Sequence, residues 1–148
     1  MTPVEIREAT EADAAGLLAA YRDAGIDGGV SFTVDEAREQ FARFRQYPSY
    51  RFFVAQVDGV FAGTYALIVL DNLAKRGTKA GVVEDVAVLP GFQGRGVGRA
   101  MMEHARAQCR AAGCYKMTLS SNIAREGAHA FYDSLGFERH GYSFLVTP

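Results

Sequence analysis

The stretch Phe92–Met102, FQGRGVGRAMM, constrains this 148-residue chain more than any other. Gly94, Gly96 and Gly98 stand at alternate positions, and a helical pattern follows at once. Alternating glycines give a strand nothing to pack and weaken a helix. What they supply is bare backbone: N–H groups at a turn into a helix, open to an anion. Upstream, GVVEDVAVL is rich in β-formers and is closed by Pro90. Downstream, Val97, Met101, Ala105 and Cys109 recur every four residues, which makes one apolar helix face able to lie on a sheet. Strand, glycine turn and amphipathic helix together point to a layered α/β fold.

The remaining segments extend that pattern. VEIREAT alternates apolar and charged residues as a strand does. Thr10 with Asp13 predicts a capping box for a helix through about Ala24, and Thr33 with Glu36 predicts another for residues 34–45. YRFFVAQV and VFAGTYALIVL flank Asp58-Gly59, a hairpin signal. CYKMTLSS reads as a strand, REGAHAFYDSL as a helix stopped by Gly136, and FERHGYSFLV as a final strand. The expected order is β-α-α-β-β-β-α-β-α-β, an α/β chain with a mixed sheet. With no repeat, low-complexity tract or Pro/Ser-rich linker, one domain over residues 1–148 is expected.

Composition removes several classes of function. A net charge of −1 argues against a broad nucleic-acid surface. Cys109 and Cys114 match no zinc spacing, so no metal is expected. The start MTPVEIREAT carries charges where a signal peptide would be apolar, and YALIVL is too short to span a bilayer. These features give a cytoplasmic expectation with neither membrane nor nucleic acid as partner.

The glycine turn fits neither common nucleotide loop. A P-loop needs Lys-Ser/Thr after the last glycine, where Arg99-Ala100 stand, and a dinucleotide fingerprint needs G-x-G-x-x-G. Gln93-Gly94-Arg95-Gly96-Val97-Gly98, placed after VEDVAVLPGF, instead resembles the pyrophosphate motif of the GCN5-related N-acetyltransferases (the GNAT family), which use acetyl-coenzyme A. LSSNIAREGAHAFYDSLGF is similar to the second block of that family: an Asn after a strand, then a helix bearing AHAFY and ending in GF.

The resemblance implies a mostly antiparallel mixed sheet with helices on both faces. A strand bulge is expected to splay two parallel strands around the pantetheine arm. The backbone of Val86, Ala87 and Val88 would bond that arm, with the Val86 amide polarising the thioester carbonyl. The amides of Gln93, Gly94, Arg95, Gly96, Val97 and Gly98 would hold the pyrophosphate, helped by the Arg95 and Arg99 side chains. Asn122 would bond the pantetheine amide or cap the next helix; Arg125 fits the second block and His129 could line the cofactor site. Glu84 is the first choice of base for the acceptor amine, with Asp85 the fallback. Strict alternation would put Glu84, Val86 and Val88 on one face, Asp85 and Ala87 on the other. Tyr132 sits where the family often carries an acid for the leaving thiolate. Cys109 reads as buried packing and His104 as a solvated helix residue.

Two subfamilies look close. Glucosamine-6-phosphate N-acetyltransferases share VEDV-like residues, but they carry Asp and Cys where Ser120 and Ser121 stand here. Aminoalkylphosphonate N-acetyltransferases share the Ser-Asn-x-x-Arg-x-x-Ala-His-x-Phe-Tyr pattern. The expected activity is acetyl transfer from acetyl-CoA to a small primary amine, by a homodimer on family analogy. A CoA-binding sensor without turnover and a protein or peptide N-acetyltransferase are the alternatives. The loops DAGIDGGVSF and DNLAKRGTKA would frame the acceptor.

Overall fold

A computed structural model describes residues 2–148. Its contacts divide the chain into two compact units, Met1–Thr118 and Leu119–Pro148.

The first unit is built on a sheet in the order β1-β2-β3-β4-β5. β1 (Val4–Glu8), β2 (Tyr50–Val57), β3 (Val60–Leu70) and β4 (Lys79–Val88) pair antiparallel, and β5 (Cys114–Leu119) runs parallel to β4. Asp58 and Gly59 both take left-handed φ values, 50° and 75°, and close the β2–β3 hairpin as the sequence predicts. Helix α1 (Ala14–Asp23) follows a 3-10 turn at Glu11–Asp13. The Thr10–Asp13 capping box forms, and Asp13 also accepts both terminal nitrogens of Arg7 at 2.8 Å. Helix α2 (Val34–Phe44) is opened by the reciprocal Thr33–Glu36 box. Helix α3 (Val97–Ala112) begins within the glycine turn.

Cross-strand neighbours share a sheet face, so the register shows which residues each helix covers. Phe53 lies opposite Tyr65, and the Phe53 ring is 4.9 Å from His104 of α3. Leu67, Met101, Met102 and Ala105 are buried on this side. On the opposite side Phe52 meets Phe41 and Phe44 of α2, while α1 packs over β3 and β4. Cys109 is buried as expected, and burial pushes its thiol up to about 12. His104 departs from expectation: its Nδ1 bonds the Tyr65 hydroxyl at 2.7 Å, so it belongs to the core side of α3. Tyr65, 39 residues away in the chain, supplied the partner that a helix pattern could not show.

The second unit contains α4 (Glu126–Ser134), followed by Gly136 at φ 85°. The expected strand over FERHGYSFLV is absent: residues 137–148 adopt no regular secondary structure. Tyr142, Phe144, Leu145 and Val146 are each more than 80% exposed (88%, 93%, 93% and 84%). A strand is stabilised by its neighbour's backbone, and β-rich composition without a bonded partner is not enough to form one. Among the described residues no helix is long and apolar enough to cross a membrane.

Candidate active site

The centre of β4 departs from regular pairing. Ala66 of β3 lies opposite Glu84, yet Thr64 lies opposite Ala87, so Tyr65 faces two residues, Asp85 and Val86. This is a β-bulge, and Asp85 takes a left-handed φ of 51° to form it. On its other edge β4 has β5 as its parallel neighbour in the sheet.

The bulge changes the facing of the strand, which corrects the expected alternation. Glu84 follows Phe52 and Ala66 across the sheet, on the α1–α2 side. Ala87, opposite Thr64, shares that side, although it is three residues away. Val88 lies opposite Gly63, where a Cβ would meet Val97 and Met101 of α3, so it faces the other way. Glu84 therefore parts from Val86 and Val88 and joins Ala87. One inserted residue reverses the period-2 rule for everything after it.

The two carboxylates are held in a setting that favours their neutral forms. Burial, with the neighbouring Asp85 charge, raises the Glu84 carboxyl above its ordinary range, and burial alone raises Asp85. Glu84 remains exposed at the surface, whereas Asp85 is half-buried. Tyr21 of α1 and Tyr50 of β2 stand near enough for these charges to act on them. Burial and then Asp85 raise both phenols, with Tyr50 also raised by Glu84.

After β4 the chain makes a 3-10 turn at Pro90–Phe92 and enters the glycine segment. Gly94 and Gly96 require left-handed φ values of 73° and 81°, and a Cβ on either would meet nothing within 4 Å. Gly96 caps α3, and the first intrahelical bond runs from the Ala100 N–H to the Gly96 carbonyl at 3.0 Å. The N–H groups of Val97, Gly98 and Arg99 thus lie at the helix start, before that bond. The Arg95 guanidinium sits 5.0 Å above the Phe92 ring. The Gln93 amide turns back and donates to the Val88 carbonyl at 3.3 Å, which ties the turn to the end of β4. An unobstructed row of N–H donors at a positive helix end suits a pyrophosphate.

The second unit gathers the other four expected residues. Asn122 Oδ1 accepts from the Ala124 N–H at 2.9 Å, and its carbonyl accepts from the Arg125 N–H at 3.0 Å. His129 Nε2 reaches the same Asn122 carbonyl at 2.8 Å. Asn122 therefore organises the approach to α4, while Arg125 is the residue at its cap. Tyr132 packs between Phe131 and Phe137, with ring centroids at 5.2 and 5.5 Å. Burial raises its phenol and the Arg125 charge partly offsets that, so the hydroxyl keeps its proton at neutral pH. Ser121 Oγ is buried without a hydrogen-bond partner among the described residues. Sequence reasoning passed over Tyr21 and Tyr50, which lie in no recognisable motif, and named Ser121 only as a departure from the sugar-phosphate enzymes.

A profile of the acetyltransferase (GNAT) family matches residues 17–137. A glucosamine 6-phosphate N-acetyltransferase of Trypanosoma brucei brucei is 34% identical over 60% of this chain, and the match spans only 58% of that protein. An aminoglycoside N(6')-acetyltransferase type 1 of Stenotrophomonas maltophilia is 32% identical, with 90% of this chain and 85% of that protein covered. Among solved structures, a putative acetyltransferase of Agrobacterium tumefaciens superposes with a TM-score of 0.89 at 30% identity, covering 97% of this chain and 99% of that one.

Proposed function

The chain belongs to the acetyltransferase (GNAT) family, an acyltransferase family that uses acetyl-CoA, and from that premise we propose that it transfers acetyl from acetyl-CoA directly to a small primary amine. The observation that carries this reading is the pair of carboxylates at the β4 bulge, on the strand that leads into the open Gly94–Gly96 turn. Bound acetyl-CoA supplies an activated thioester. The N–H groups from Gln93 to Gly98, with Arg95 and Arg99, hold its pyrophosphate, and the backbone of Val86, Ala87 and Val88 lines the arm. Asn122, Arg125 and His129 complete the cofactor set, and the unpartnered Ser121 hydroxyl is a further polar group of the same segment.

An amine is mostly ammonium at neutral pH and becomes nucleophilic only after losing a proton. Glu84 Oε takes that proton, and its raised pKa brings its basicity closer to the task. Tyr132, protonated at neutral pH, donates from its hydroxyl to the departing sulfur. The test is thiol release from acetyl-CoA across a panel of amines and peptides. Turnover on a small amine supports the reading. Tight coenzyme A binding without any turnover would favour a sensor, and turnover confined to peptides would favour a protein acetyltransferase.

The reading includes a homodimer in the cytoplasm. Its supports are the exposed Tyr142–Val146 apolar strip, which a second copy would cover, and two free cysteines. Ending the chain after Gly141 should shift the sedimentation coefficient from dimer to monomer; an unchanged value would exclude this strip as the contact.

A further inference from the structure

A cavity of about 90 Å³ opens between α1, α2 and the sheet, entirely within the first unit. Leu17, Leu18, Phe32, Phe41, Phe44 and Phe52 form most of its wall, and no Lys or Arg lines it. Phe32 belongs to the α1–α2 connection and is 47% exposed, so it stands at the mouth rather than in the core. Phe52 places the cavity relative to the carboxylates: it is the cross-strand neighbour of Ala66, which is the neighbour of Glu84. Tyr21 lines the cavity too, and it is near enough to Asp85 to feel its charge. The wall itself holds no carboxylate; Glu84 lies beyond it on the same sheet face, two strands from Phe52, and Tyr21 is the wall residue that the Asp85 charge reaches.

We propose that this cleft is the acceptor site and that it selects an amine carrying an uncharged, apolar group, with the ammonium toward Glu84 and Asp85 and the apolar part against Leu18, Phe32 and Phe52. The inference rests on the acetyltransferase reading and adds the substrate class to it. A phosphate or phosphonate would need a cation to replace its water, and the wall provides none; its polar side chains are Tyr21 and Gln40. An ammonium, in contrast, is matched by the paired carboxylates. Size narrows the choice further. An apolar cavity of about 150 Å³ takes a benzene ring, so this smaller, half-open one takes a branched alkyl chain or the inner part of a single ring.

Steady-state acetylation should be compared for 3-methylbutylamine, 2-phenylethylamine, glucosamine 6-phosphate and 2-aminoethylphosphonate. The two apolar amines should have kcat/KM about 10-fold or more above the two anionic ones, the scale at which apolar pockets discriminate. Phe32→Asp, an exposed loop substitution, should raise KM for 3-methylbutylamine about 10-fold and leave kcat nearly unchanged. Faster turnover of either anionic amine would overturn the inference and leave the acetyltransferase reading intact. If no amine is acetylated although coenzyme A binds, the acetyltransferase reading fails, and saturation-transfer NMR with 3-methylbutylamine alone decides the cleft. A signal lost in Phe32→Asp supports it; no signal from the unsubstituted protein overturns it.

Discussion

The two sides of the sheet are built to different ends. On the α3 side Tyr65, Leu67, Met101 and Met102 are fully buried, and its polar groups, Tyr65 and His104, satisfy each other. On the α1–α2 side aromatic rings surround open volume, and Glu84, its pKa raised, lies on the same sheet face two strands from Phe52. A face that serves stability fills its space and pairs its polar groups. The opposite face leaves both incomplete, and there a ligand has something to do.

Substitutions on the two sides should therefore fail in different assays. Glu84→Gln should lower kcat by about 100-fold or more with little change in melting temperature. In the unsubstituted enzyme the rate should rise with pH through a value above the ordinary carboxylate range, and this limb should vanish in the variant. Kinetics unchanged by Glu84→Gln would pass the base role to Asp85. Leu67→Ala should cost about 2–5 kcal/mol in denaturant unfolding, while kcat/KM per folded molecule stays put. A kinetic defect there would erase the contrast between the sides.

A smaller effect concerns Asp85. Its folded-state pKa is raised by burial, so the folded protein binds the proton more tightly than the unfolded chain. Stability contributed by this group falls as pH rises from the ordinary Asp value through the raised one. Asp85→Asn removes that loss and suits a left-handed φ. It should melt higher than the unsubstituted protein at pH 7, with the gap narrowing at pH 3. The smallest effect belongs to Tyr65→Phe, which strips His104 Nδ1 of its partner at a cost of about 1 kcal/mol. His104 stays neutral there, because burial and Arg51 lower its pKa. Thermal unfolding should register the change and acetyl transfer should not.

Local interactions explain what could be read in advance. The Thr33–Glu36 box, the Asp58-Gly59 turn and the four-residue recurrence along α3 each depend on residues a few positions apart. The glycine turn was legible for the same reason, since left-handed φ values at Gly94 and Gly96 are a property of those residues themselves. Residues 137–146 looked like a strand by the same kind of pattern, but strand formation needs a partner that the pattern cannot contain.

By itself, then, the sequence determined the element types, the hairpin, the caps and the place where an anion can approach bare backbone. Only the tertiary structure decided which way Glu84 faces, because the bulge at Asp85 is defined by a mismatch with β3 and not by any residue of β4 alone. It also joined His104 to Tyr65 and assembled the apolar cleft from α1, α2 and β2. These features arise from contacts between residues far apart in the chain, and packing, rather than local preference, settles them.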